Sequence, residues 1–105
     1  MTARADALRQ MIAASPDDPF PRYGLAMELK SSRALDEAHA AFEDLERRFP
    51  DYVPQYLMHF QVLVALEEKD VARALAERGR AVMRKAGNAH ALSELESALA
   101  ALDDV

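Results

Sequence analysis

Residues Leu35 to Tyr52 read LDEAHAAFEDLERRFPDY. Leu35, Ala38, Phe42, Leu45 and Phe49 recur at steps of three and four, which lines them along one face of a helix. Pro50 has no backbone N–H to offer and ends the run. The order of sizes on that face is informative: a small residue, Ala38, comes one turn before a large ring, Phe42. Small residues let two helices approach closely, and large ones fill the gap to a third.

The same pattern returns at a fixed distance. Pro16 and Pro50 each precede an aspartate, and they set an interval of about 34 residues. Ala38 and Ala72 share that spacing, as do Leu8, Phe42 and Ala76, and Met11, Leu45 and Gly79. A period of that length built as helix–turn–helix belongs to tetratricopeptide repeats. The unit from 17 to 50 resembles that family in Leu25, Ala26, Leu29, Ala38, Phe42 and Pro50. The unit from 51 to 86 departs from it. His59 stands where the family places leucine, Phe60 where it places glycine, and Ala76 where it places a large aromatic. Residues 1–16 resemble the second helix of a unit that lacks its first, and 87–105 resemble the capping helix that follows such arrays. The whole chain also resembles small stand-alone bacterial tetratricopeptide proteins.

Punctuation along the chain agrees with six helices in one all-α domain spanning 1–105. SPDDP (15–19), FPDYVP (49–54) and KAGNA (85–89) interrupt the helical pattern, with SSR (31–33) as a short turn. Thr2, Asp18 and Asn88 are expected N-caps, with Pro19 in the first turn, where a missing N–H costs nothing. The first helix is expected to bury Leu8, Met11 and Ile12. The fourth runs from about Tyr52–Pro54 to Glu67. The fifth carries Val71, Ala72, Leu75, Ala76, Gly79, Val82 and Met83 on one apolar face, and Gly87 ends it in the left-handed conformation. In the last, Leu92, Leu95, Leu99 and Leu102 form a seam. Linkers of a few residues make successive helices antiparallel neighbours.

Composition narrows the function. The chain has 105 residues, 50% of them hydrophobic, no cysteine and a formal charge of −5. Thiolate chemistry and the common zinc spacings are excluded, and a reducing cytoplasm fits. No apolar run is long enough to span a bilayer, and an acidic chain is a poor partner for nucleic acid. His39, His59 and His90 fall on three helices with no ligand spacing; His59 is expected in the core and His39 near the surface. Carboxylate pairs such as Asp17–Asp18 and Glu43–Asp44 fall at helix starts or on polar faces, where the helix dipole and water account for them. With no phosphate loop or nucleophile elbow, no enzyme activity, metal or cofactor is expected. The six basic residues between 69 and 85, including Arg73, Arg80 and Arg84, read first as a solvated helix back, and second as an anion-binding stripe.

The resemblance implies that the first helix of each pair lines a concave groove. Its lining would be Phe20, Tyr23, Met27 and Lys30, then Leu57, Gln61, Val64 and Ala65. Family members that grip a C-terminal carboxylate use Lys, Arg and Asn there, whereas this chain has Tyr23, Met27, Leu57 and Gln61. The expected partner is therefore a protein or peptide segment held on a largely apolar surface, with Tyr23 and Leu57 as the leading contacts. The alternative is a self-associating protein that uses the same surface as an oligomer interface.

Overall fold

A computed structural model describes residues 2–104; the outer limits expected for the first and last helices, residues 1 and 105, lie outside them. Six α-helices follow in order: α1 (Ala3–Ala14), α2 (Pro19–Ser31), α3 (Leu35–Arg48), α4 (Gln55–Ala65), α5 (Lys69–Ala86) and α6 (Ala89–Asp103). There is no strand among the described residues. The expected caps form. Thr2 Oγ1 accepts from Ala5 N at 2.9 Å, Asp18 Oδ1 from Phe20 N at 3.0 Å, and Asn88 Oδ1 from Ala91 N at 3.0 Å. Each satisfies one of the N–H groups that a helix start leaves unpaired. Helix α3 has no side-chain cap; Asp36 and Glu37 in its first turn and Arg47 and Arg48 in its last match the helix dipole instead.

The repeat is also written in the backbone. Arg33 and Glu67 are the described non-glycine residues with positive φ, at 64° and 61°, and they stand one repeat apart, at the interval of Pro16 and Pro50. Each closes its helix in the same way. Arg33 N donates to Lys30 O and Ala34 N to Leu29 O; Glu67 N donates to Val64 O and Glu68 N to Leu63 O. Gly87, at φ 68°, repeats this Schellman geometry with Arg84 O and Met83 O as acceptors. The left-handed turns shorten α4, which spans Gln55–Ala65 and not the longer run expected from the sequence. At its start, Gln55 Nε2 donates to Phe49 O and Tyr52 O, holding residues 52–54 as turn.

The helices stack in two rows. Consecutive helices pack against each other, and α4 also touches α2 and α6 directly. Among the outer helices, α1 and α3 have no Cα pair within 8 Å, and neither do α3 and α5. Inner helices α2, α4 and α6 converge while outer helices α1, α3 and α5 splay, so the array curves towards its inner row. Two cores result. Ala26, Leu29, Ala38, Phe42, Leu45 and Val62 fill the space among α2, α3 and α4. Tyr56, Phe60, Leu63, Ala72, Leu75, Ala76, Met83, Leu95 and Leu102 fill that among α4, α5 and α6. Two residues assigned to buried faces are exposed instead, Met11 at 49% and Val71 at 43%.

Candidate functional site

Helices α2, α4 and α6 place their free sides on one continuous face, and the expected groove residues divide into three groups on it. Phe20, Tyr23 and Met27 line a hollow of about 340 Å3 beside α1, together with Arg4, Gly24, Glu28 and Ser31. Gln61 and Val64 line a second hollow, of about 360 Å3, between α4 and α6. Lys30, Leu57 and Ala65 line neither. Phe20 is 65% exposed and Val64 36%, the two largest open apolar side chains on this face.

The leading contact residues prove to be partly structural. The Tyr23 ring sits edge-on to Phe42 with centroids 6.5 Å apart, and tilted against Tyr52 at 5.4 Å. Burial, reinforced by Tyr52, pushes the Tyr23 phenol up; burial, reinforced by Asp18, does the same for Tyr52. Both phenols therefore stay neutral at any physiological pH. Leu57 is half-buried against the second core.

The sequence reading missed the α6 half of the second hollow: Ala98, Ala101 and Leu102. A signal was available. One more step of the repeat carries Val64 onto Ala98, just as it carries Lys30 onto Val64. Treating α6 only as a cap hid that continuation.

The basic stripe on α5 is neither a bare solvated face nor a free anion site. Arg73 reaches Asp70 and, at 3.0 Å, Asp103; Arg80 reaches Glu77 and Glu96; Arg78 forks onto both oxygens of Glu46. These bonds tie α5 to α6 and to α3. The Arg78–Glu46 fork spans the outer row where the α3 and α5 backbones do not meet.

Asp44 was expected on a solvated face, but Arg22 of α2 and Arg47 and Arg48 of α3 converge on it at 3.0–3.4 Å. Its partial burial would raise the carboxyl, but hydrogen bonds from Arg48, Arg22 and Arg47 outweigh that and hold it below the usual carboxylate range.

The histidines also depart from expectation in one respect. His59 is in the core, at 2% exposure, stacked on Phe42 with centroids 5.2 Å apart. His39 is half-buried, because its Nδ1 lies 2.8 Å from His59 Nε2 while its own Nε2 faces Glu43 at 3.5 Å. His59 Nδ1 has no partner among the described residues. A proton on His59 Nε2 makes that orphan a bare lone pair, which is cheaper to bury than an orphaned N–H. Burial, then the neighbouring His39 and Arg78, push the His59 imidazole from 6.5 down to about 3. The ring is a neutral packing piece. Among the described residues no group of three or more His, Cys, Asp or Glu is placed to hold a metal ion, and no helix is long and apolar enough to cross a membrane.

Two rows of antiparallel helices, repeating in sequence and curving inward, define a helical-repeat solenoid. Comparison with known proteins gives the family. A tetratricopeptide repeat domain protein from Salinibacter ruber, in its solution structure, is 34% identical over 86% of this chain and 91% of its own, with a TM-score of 0.79. A crystal structure of the Salinibacter ruber domain gives 35% identity over 82% and 97%, with a TM-score of 0.76. The chain belongs to the tetratricopeptide repeat family. The TPR2B domain of yeast Sti1, solved in a complex with pHsp70, shares the fold at 19% identity, with a TM-score of 0.88 over 95% of this chain and 80% of that domain. No protein-family model and no curated protein matches the chain.

Proposed function

We propose that this protein is a non-catalytic interaction module that holds a peptide or protein segment along its inner face. One observation carries the reading: the inner helices converge and still leave Phe20 and Val64 open beside two hollows, with no second layer over them. A peptide laid across that face covers apolar surface that water otherwise meets. The complex of the yeast neighbour supports the same use of the fold. In this reading 17–50 and 51–86 are the two full repeats, 1–16 a half-repeat and 87–105 the cap. Phe20, Tyr23, Met27, Lys30, Leu57, Gln61, Val64 and Ala65 are its lining, and a cysteine-free chain suits a reducing cytoplasm.

The test is an unbiased peptide-display selection against the full chain, followed by Phe20→Asp with Val64→Asp. Both positions are exposed, so melting should hardly change. The selected peptides should lose at least about ten-fold in affinity, a cost of about 1.4 kcal/mol. Undiminished binding to the well-folded double variant would sink the proposal.

A further inference from the structure

The hollow between α4 and α6 has a chemical polarity that selects its occupant. Its floor is Phe60, Val64, Ala98, Ala101 and Leu102, with Gln61 as the one polar side chain. The alanines keep the floor low on the α6 side, so a side chain of leucine or phenylalanine size has room. No ionisable group lines it.

The end of the hollow is charged. Helices α4 and α6 are both antiparallel to α5, so they run the same way and finish side by side. Their C-terminal halves supply the lining, and their negative dipole ends lie at its far end. Just beyond Val64 come the exposed Glu67 and Glu68, and just beyond Leu102 come the exposed Asp103 and Asp104. With Asp70, that makes five carboxylates against two basic residues, Lys69 and Arg73. Arg73 is already committed to Asp70 and Asp103. Glu67, Glu68 and Asp104 make no ion pair among the described residues. The basic residues of the inner row, Arg22 and Lys30, lie on α2, across α4 from the hollow. An apolar floor with an acidic end is complementary to an apolar side chain followed by cationic ones.

We infer that the α4–α6 hollow docks a partner segment in which a bulky apolar residue is followed by lysine or arginine. The polarity is opposite to a carboxylate clamp: the groove supplies negative charge and the partner supplies positive. The inference rests on the inner-face reading above and sharpens it to a partner chemistry.

Three end-capped synthetic peptides test it against the full chain: one with leucine followed by two lysines, one with leucine followed by two glutamates, and one with serine followed by two lysines. The readouts are affinity and amide chemical shifts. The leucine–lysine peptide should bind about ten-fold tighter than either control and weaken as salt screens the pair. Its shifts should centre on Val64, Ala98 and Ala101. Ala101→Phe, at an exposed position, should fill the hollow and abolish that binding. Glu67→Lys with Glu68→Lys should invert the preference towards the glutamate peptide. Equal binding of the lysine and glutamate peptides overturns the inference, as do shifts confined to the Phe20 side; display-selected peptides that still map to the inner face then leave the broader reading standing. Selected peptides that leave α2, α4 and α6 unperturbed overturn both. Concentration-dependent self-association that Ala101→Phe abolishes assigns the hollow to a second copy and overturns the inference too.

Discussion

The helical pair α2–α3 and the pair α4–α5 have the same backbone plan and opposite distributions of side-chain volume. In the first, the inner helix is small at the contact, with Ala26, and the outer helix is large, with Phe42 and Leu45. One repeat on, the inner helix is large, with Phe60, and the outer one is small, with Ala76 and Gly79. Leu29 and Leu63 on the inner helices, and Ala38 and Ala72 on the outer ones, keep the same residue at the same register. The close approach in the second pair is real: a Cβ on Gly79 would stand 2.9 Å from Tyr56 Cβ and 3.0 Å from Leu95 Cδ2. The large ring therefore moves from the outer helix to the inner one, and both pairs stay closely packed. The loop anchors follow the same rule. Arg22 Nη1 donates to Pro16 O at 2.8 Å, and Tyr56 Oη donates to Pro50 O. Arg22 and Tyr56 share a register position, as Pro16 and Pro50 do, so one hydrogen bond is made twice by unrelated side chains.

Exchanging residues between the two registers is the sharpest way to break this comparison. Phe42→Ala installs the second pair's residue in the first, where Ala26 cannot fill the space. A loss of about 3–5 kcal/mol is expected, read from urea unfolding followed by helical circular dichroism. A loss below about 1 kcal/mol would mean that the first core closes over the missing ring.

The second effect depends on pH and belongs to the second pair alone, because His59 stands at the register of Leu25. Well above pH 6.5 the ring is neutral whether the chain is folded or not, and it contributes no slope. Below 6.5 the unfolded chain takes up a proton that the folded chain refuses until about pH 3, so stability falls as the pH falls. Between pH 7 and pH 5 the loss should be about 2 kcal/mol. His59→Leu, which copies the first pair, should remove that part of the slope. An unchanged slope would place the sensitivity elsewhere, with Asp44 the first group to examine at lower pH. Its depressed carboxyl contributes stability above the ordinary carboxylate range and loses it on further acidification.

Smaller effects test the shared plan. Tyr56→Phe deletes the donor to Pro50 O and should cost about 1 kcal/mol, measured the same way. Arg33→Gly and Glu67→Gly each place glycine at a left-handed φ. Each should stabilise by up to about 1 kcal/mol, since relief of strain exceeds the added backbone entropy. Equal gains at the two sites would mark the turns as equivalent, even though the cores beside them are not.

Much of the scaffold could be read from residue types and spacing. The period, the caps at Thr2, Asp18 and Asn88, and the left-handed Gly87 are legible in the chain itself; the caps and the turn depend on residues within a few positions. The candidate site was half legible. Its α2 and α4 residues follow from the register, but its α6 side does not stand out, because alanines at 98 and 101 look alike whether they pack, cap or line a hollow. Exposure was harder still. Tyr23 looked like a contact residue and Asp44 like a solvated one, and both are held by partners remote in sequence, Tyr52 and Arg22 among them.

The amino-acid sequence by itself determined the helices, their order and the repeat, because backbone hydrogen bonding and periodic burial are short-range. Only the tertiary structure decided that Ala26 shares a core with Phe42 and Phe60 with Ala76, that Gly79 lies against Tyr56 and Leu95, that His39 meets His59, and that the α5 arginines are spent on α3 and α6. Those outcomes depend on which helix lies opposite which, and a one-dimensional pattern carries no volume or charge from the other side of a contact.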